Sequence, residues 1–320
     1  MQASSPTHRS IIDIGSNSVK LLVGAYSKGS LEPLEESGIQ TRLGENLRET
    51  GNLSTAAIER TLNATEQFLK VADSYGAKTA IIATHAARSA TNQAEFVERV
   101  HERTSLKPLI ITGEQEAQWT VAGVLSSNSQ AGVCQAIMDI GGGSTEFVLV
   151  HEGSVEFARS FKIGTVTLLE AFIDSDPPTQ EAYAACNRRI KTWLDEAIAE
   201  PLSLVRNRAQ PILIGTGGAS LILARVIHES PDFDRASIEN TTLFRDQVLA
   251  TCNRLWALPL EKRQDVIGLP PERADVMLIG AALQANMLTC LNFESMRVST
   301  RGLRFGAMLD SQLFPNETKR

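Results

Sequence analysis

Cysteine is scarce and scattered. The four in this 320-residue chain, Cys134, Cys186, Cys252 and Cys290, form no C-x-x-C pair, which fits neither a disulfide framework nor a zinc knuckle and predicts reduced core residues in a cytoplasmic protein. Positive charge is not in excess: the formal net charge is -6, so no broad cationic surface for nucleic acid is expected, and an anionic ligand would need a local pocket of Arg, Lys and backbone amides. The N-terminal MQASSPTHRS carries no long apolar run, so a signal peptide is not expected. The stretch to check as a membrane span is 276–293, which carries no formal charge but includes Gln284, Asn286, Thr289 and Asn292, the pattern of a core helix and not of a membrane span. No Walker A sequence occurs, which excludes a P-loop NTPase, and the five histidines form no H-x-x-x-H pair for zinc. In LIGTGGAS, Ser220 stands where a dinucleotide fingerprint has its third glycine, and no early βαβ unit surrounds it, which argues against NAD.

What is present is a normal globular balance, 42% apolar and 21% charged residues, enough for one large or two ordinary domains without staples. IIDIGSNSVKLLV (residues 11–23) breaks an apolar strand with Asp13 and a Gly/Ser/Asn loop, then resumes as a second strand. A buried acid needs a cation or strong hydrogen bonds beside it. Lys28-Gly29-Ser30 turns the chain into a third strand near 31–35. Ser54 is an N-cap ahead of Ile58, Leu62, Leu69 and Ala72 at helical spacing. TAIIAT (79–84) reads as a buried strand, Asn92 with Glu95 as a capping box, PLIIT as another strand, and Thr112 with Gln115 as the start of the helix holding EQEAQWTVAGVL.

The second half restarts in the same way. AIMDIGGGSTEFVLV is strand, loop and strand, Glu152-Gly153-Ser154 turns it, and Asp139 follows Asp13 by 126 residues, each within apolar-Asp-Ile-Gly. Helical stretches at 165–199, 242–256 and 272–291, strands at PILIG and MRVST, the helix ASLILARVI and a closing helix complete the copy. This internal repeat predicts an α/β protein of two similar domains, 1–125 and 126–320, facing across a cleft, with the boundary in SSNSQAG and the closing helix free to pack back on the first domain.

In DIGGGSTE, Gly141, Gly142 and Gly143 let the backbone approach a ligand and point amides at an anion, and Ser144 and Thr145 add hydroxyls. Asp139 and Glu146 flank this loop, a carboxylate pair suited to Mg²⁺ with phosphate and water completing its shell; a glycine-rich hairpin with a structural acid is the plain alternative. Ser16, Asn17 and Ser18 offer similar chemistry. Arg88, just after a strand, and Arg42, beside a turn, are candidate phosphate ligands or solvated arginines. Glu114 and Glu116 are either ordinary acids of a first helical turn or, for Glu116, a carboxylate kept ionised by the helix dipole and able to take a proton from water.

DIGSNSVKLLV, THAARSATN, GEQEA, DIGGGSTEFVLV, IGTGGAS and STRGLRFG, in this order and over nearly the whole chain, resemble the exopolyphosphatase and guanosine pentaphosphate phosphatase (Ppx/GppA) family. The resemblance implies the duplicated ribonuclease-H-like fold of the actin, Hsp70 and sugar kinase superfamily. It also implies hydrolysis of a terminal phosphoanhydride with Mg²⁺, or Mn²⁺ as the alternative ion. Carried over by motif, Glu116 and Arg88 are the catalytic residues, Glu116 as the base that activates water and Arg88 holding phosphate together with the loops. Asp139, Glu146 and Asp13 form the metal centre. The loops Ser16, Asn17, Ser18 and Gly141 to Thr145 bind phosphate by the same resemblance, and Arg42, Gly217 and Gly218 are further substrate-binding candidates. The chain ends soon after GLRFG, as in the short members without a helical C-terminal domain, and Phe305 stands where the family usually has Glu. Inorganic polyphosphate is the leading substrate, guanosine pentaphosphate (pppGpp) the alternative; a homodimer is the family expectation, with no nucleic acid or membrane partner. A catalytically weak sensor of the same ligands is the reading from another class, and the retained Glu116 and metal carboxylates argue against it.

Overall fold

In the computed structural model, which describes residues 6–27, 29–127 and 133–315, the apolar runs of the first half become β1 (Thr7–Ile14), β2 (Ser18–Ser27) and β3 (Ser30–Gln40). After them come α1 (Leu47–Thr50), α2 (Thr55–Ser74), β4 (Lys78–Ala83), α3 (His85–Ser89), α4 (Gln93–Thr104), β5 (Leu109–Ile110) and α5 (Gly113–Leu125). The second half opens with β6 (Gln135–Ile140), β7 (Thr145–His151), β8 (Ser154–Phe161), α6 (Thr165–Phe172), α7 (Gln180–Ala197), α8 (Ala199–Arg206), β9 (Ile212–Thr216) and α9 (Gly217–Ile227). It closes with α10 (Arg235–Ile238), β10 (Thr242–Phe244), α11 (Arg245–Ala257), α12 (Leu260–Gln264), α13 (Met277–Cys290), β11 (Ser295–Val298) and α14 (Leu303–Leu309). The chain divides into two compact units, Met1–Ser127 with Arg301–Arg320, and Asn128–Thr300.

In the first unit the described strands form one sheet in the order β3-β2-β1-β4-β5, antiparallel through the hairpins and parallel at β1–β4–β5. Strand alternation sends Ile12, Ile14, Val19 and Ile81 to one face, where they pack with Ile58, Phe68 and Phe96 of α2 and α4. Ile11, Leu22 and Ile82 point to the other face and meet Trp119 of α5 with Phe305 and Met308 of α14. α14 therefore completes the first unit's core, although chain order groups it with the second half. The approach is close: a Cβ on Gly306 would lie 1.8 Å from the Trp119 carbonyl oxygen. Arg9, its guanidinium 3.5 Å from the Tyr26 ring centroid and 4.7 Å from that of Phe314, donates to the Met308 carbonyl at 2.7 Å and fastens the C-terminal segment. Phe305 is 1% exposed, so the aromatic at this departure from the family pattern is a core residue.

In the second unit the described strands run β10-β11-β9-β6-β7-β8. The hairpin β6–β7–β8 and parallel β9 repeat the β1–β2–β3 and β4 arrangement. Both outer hairpins shift register by one residue, between Val23 and Gly24 and between Leu149 and Val150. The core gathers Phe147, Trp193, Leu223, Trp256 and the nearly encircled α13. Among the described residues no helix is long and apolar enough to cross a membrane. Cys134, Cys186 and Cys252 are buried free thiols and Cys290 is half-buried. Burial pushes the Cys186 thiol up to about 12 and that of Cys252 to about 11.

Some local expectations change. Asn92 does not cap α4: its Oδ1 accepts from Leu53 N–H at 2.9 Å and its Nδ2 donates to the Leu53 carbonyl at 3.0 Å, a long-range tie that outcompetes the local box. The expected helix over 242–256 begins as β10, which pairs with β11, and the one over 272–291 splits into a 3₁₀ turn at Pro271–Arg273 and α13. Lys28 of the expected first turn and residues 128–132 of the expected boundary lie outside the described residues.

Candidate active site

Asp13 lies near the end of β1, buried, with Lys20 on β2 and Ile82 on β4 as its cross-strand neighbours. Burial pushes its carboxyl above the ordinary aspartate value; the nearby charges of Lys20 and Arg304 oppose that shift without cancelling it. Among the described residues, Oδ1 of Asp13 accepts no hydrogen bond. The following loop is closed by Gly15 N–H donating to the Ser18 carbonyl at 3.0 Å. Its outer carbonyls are taken up by the chain after β3: that of Ser16 by Gly44 N–H at 2.8 Å, that of Asn17 by Thr41 and Arg42 N–H at 3.0 Å each. A trans peptide points its C=O and N–H in opposite directions, so the amides of Asn17 and Ser18 turn away from that segment. Asn17 accepts from Gln40 Nε2 at 3.2 Å, and its own Nδ2, buried, has no acceptor among the described residues. Arg42, left-handed at φ 50, is exposed and adjoins this loop through its amide.

The same unit separates the two glutamates of GEQEA. Thr112 caps α5 by accepting from Gln115 N–H at 3.1 Å, and the helix then turns Glu114 to solvent and buries Glu116 at 6% exposure. Arg88, on the short α3 directly after β4, places Nη1 3.1 Å from Glu116 Oε2 and donates from the same nitrogen to the Ile111 carbonyl at 2.7 Å. One carboxylate is thus oriented by a cation that is itself fixed to the backbone.

In the second unit Asp139 has different neighbours. It stands opposite Thr216 on β9 and Glu146 on β7, and Glu146 stands opposite Ser160 on β8. Residues in register on adjacent strands share a face, so Thr216, Asp139, Glu146 and Ser160 form one polar row across the sheet. Ser160 Oγ donates to Glu146 Oε1 at 2.6 Å. Gly217 opens α9 at φ +76, where a Cβ would lie 1.9 Å from Asp139 Oδ1; only glycine allows both the turn and the space for that carboxylate. Gly218 follows in the first turn of α9.

The glycine loop leans on α6. Gly141 N–H donates to the Ser144 carbonyl at 2.9 Å, while the carbonyls of Gly141 and Gly142 accept from Thr165 and Val166 N–H at 3.0 and 2.8 Å. By the same peptide geometry the amides of Gly142 and Gly143 turn outward, a nest for an anion. Gly164 makes this seating possible, since a Cβ there would lie 2.5 Å from the Gly142 carbonyl oxygen. Thr145 departs from its expected role as a phosphate donor. Its hydroxyl donates to the Ile163 carbonyl at 2.6 Å, and strand alternation turns it to the face opposite Glu146.

Mg²⁺ fits the second unit's donor set. Asp139 and Glu146 face each other in a half-buried to buried row, two carboxylates in register that could hold a cation, and Gly217 keeps the space beside Asp139 open. Among the described residues no three His, Cys, Asp or Glu side chains gather as a metal cage, which suits an ion that takes one or two carboxylates plus phosphate and water. The expected third ligand, Asp13, belongs to the first unit and has Lys20, not a carboxylate, opposite it. Ser160, Gly164 and Lys20 were not singled out by sequence; the 126-residue repeat places Lys20 at the counterpart of Glu146, the signal that could have found it.

The sequence model of the Ppx/GppA phosphatase family matches residues 22–314. Exopolyphosphatase 2 of Mycobacterium tuberculosis is 30% identical over 286 residues, 86% of this chain and 88% of that protein. Exopolyphosphatase 1 of the same organism is 27% identical over 304 residues, 93% and 86% of the two chains. The crystal structure of the Aquifex aeolicus Ppx/GppA family member superposes with a TM-score of 0.78 at 29% identity, covering 98% of this chain and 99% of that one. The fold is the duplicated ribonuclease-H-like, actin-type arrangement.

Proposed function

Because the chain belongs to the Ppx/GppA phosphatase family, we propose that it is an exopolyphosphatase that removes the terminal phosphate of inorganic polyphosphate with Mg²⁺. The observation that carries this reading is the Asp139–Glu146 pair in register beside the outward amides of Gly142 and Gly143: carboxylates for a cation next to donors for an anion. The names of the curated relatives support the polymer as substrate.

Asp139 and Glu146 would hold the Mg²⁺, which when bound neutralises phosphate charge as it builds on the transferred group. The remaining chemistry belongs to the chain. In the second unit the amides of Gly142 and Gly143, and in the first unit those of Asn17 and Ser18, offer phosphate oxygens preorganised dipoles that need no reorganisation during reaction. Glu116 accepts the proton of the attacking water, and the Arg88 bond at 3.1 Å fixes which way its carboxylate faces. Phosphoryl transfer asks for positioning and charge neutralisation more than covalent help, and these groups supply both.

The test is orthophosphate release from long-chain polyphosphate and, in parallel, from pppGpp, with and without Mg²⁺, for wild type and Glu116→Gln. The expected result is metal-dependent release from polyphosphate, reduced about 10²–10⁴-fold in the variant. Release from pppGpp alone would move the substrate to the nucleotide. Wild type inactive on both while binding them would replace the hydrolase with a sensor.

A further inference from the structure

We propose that Ser160 is a positioning residue for Glu146, its hydroxyl holding the carboxylate in the orientation that binds the divalent cation. This rests on the reading of Asp139 and Glu146 as the metal pair. Glu146 is 2% exposed, and the 2.6 Å bond from Ser160 Oγ to Oε1 has the length of a charge-assisted O–H···O contact.

The hairpin is built to deliver this contact. Near the turn, His151 pairs with Ser154 and Val150 with Val155; continued without interruption, that register would set Arg159 opposite Glu146. The one-residue shift between Leu149 and Val150 sets Ser160 there instead. A guanidinium in that place would compete with a metal for the carboxylate as an ion pair. A hydroxyl orients the carboxylate and adds no charge. The first unit has the same shift, yet there the residue opposite Lys20 is Gly38, so the sheet that lacks an acid pair also lacks the orienting hydroxyl. Outer partners of metal-binding groups typically change affinity about 10–100-fold.

Mn²⁺ serves as the probe, with the free ion followed by electron paramagnetic resonance in titrations of the substrate-free protein. Wild type, Ser160→Ala, Ser160→Thr and Glu146→Ala are compared, with thermal melts of each metal-free protein. Ser160→Ala is expected to weaken Mn²⁺ binding about 10–100-fold with an unchanged metal-free melt, and Ser160→Thr to restore it. If Ser160→Ala binds Mn²⁺ as wild type does while Glu146→Ala has lost it, the role of Ser160 is refuted and the metal pair stands. A lower melt with unaltered affinity would make the bond a mere edge-strand tie, and failure of Thr to rescue would equally refute the hydroxyl's role. Undiminished binding by Glu146→Ala would remove the metal pair itself.

Discussion

The two sheets carry the same acid at the same place and surround it differently. Across β4, β1, β2 and β3 the first unit reads Ile82, Asp13, Lys20, Gly38; across β9, β6, β7 and β8 the second reads Thr216, Asp139, Glu146, Ser160. In the first, one acid is met by one lysine and flanked by groups that offer no side-chain hydrogen bond. In the second, two acids face each other between two hydroxyls. A backbone duplicated down to its register shift has thus been given one row that sets an acid against a lysine and one that sets two acids side by side. What the duplication preserved is the loop that turns amides outward; what diverged is the charge beside it.

Exchanging the rows tests this contrast. Glu146→Lys, which gives the second unit the first unit's pairing, should leave the metal-free protein folded with a melt at least as high as wild type while phosphate release falls on the order of 10³-fold, the worth of several kcal/mol of metal stabilisation. The converse, Lys20→Glu, places a second acid beside buried Asp13 without the hydroxyls, and urea unfolding should show a loss of about 3 kcal/mol. Gly217→Ala strains a φ of +76 and drives a methyl into Asp139; a loss of about 1–3 kcal/mol, with an accompanying drop in activity, is expected from the same measurement.

The smallest effect concerns pH. Burial holds the Asp13 carboxyl above its ordinary value, so between the unfolded value, about 3.9, and the raised folded value the native chain binds more protons than the unfolded one. Stability contributed by this group therefore falls as pH rises through that window. Asp13→Asn should be more stable than wild type at neutral pH, with the gain fading as the pH is lowered toward 4, read from unfolding curves across that range. A variant less stable than wild type at neutral pH would mean that the Lys20 and Arg304 charges outweigh the desolvation of Asp13.

Much of the fold was legible because it is written in local periodicity: the apolar strands, the turn residues and the 126-residue spacing of Asp13 and Asp139 need no knowledge of distant contacts. The errors lie where distant contacts win. Asn92 gives up a local cap for Leu53, and 242–244 leaves a helix to pair with β11. At the candidate site the glycine loops and the carboxylates stood out by composition, but Thr145 could not be distinguished from Ser144 as a donor without its bond to Ile163.

The amino-acid sequence by itself determined the duplication, the family, and the residue types gathered around two Asp-bearing hairpins, since these follow from order and spacing along the chain. Only the tertiary structure decided that Glu116 and not Glu114 is buried against Arg88, that Ser160 and not Arg159 faces Glu146, and that α14 closes the first unit's core. Each of those choices turns on a helical phase, a one-residue shift or a packing partner set by residues far away in the chain, and a spacing of identical letters carries no information about any of them.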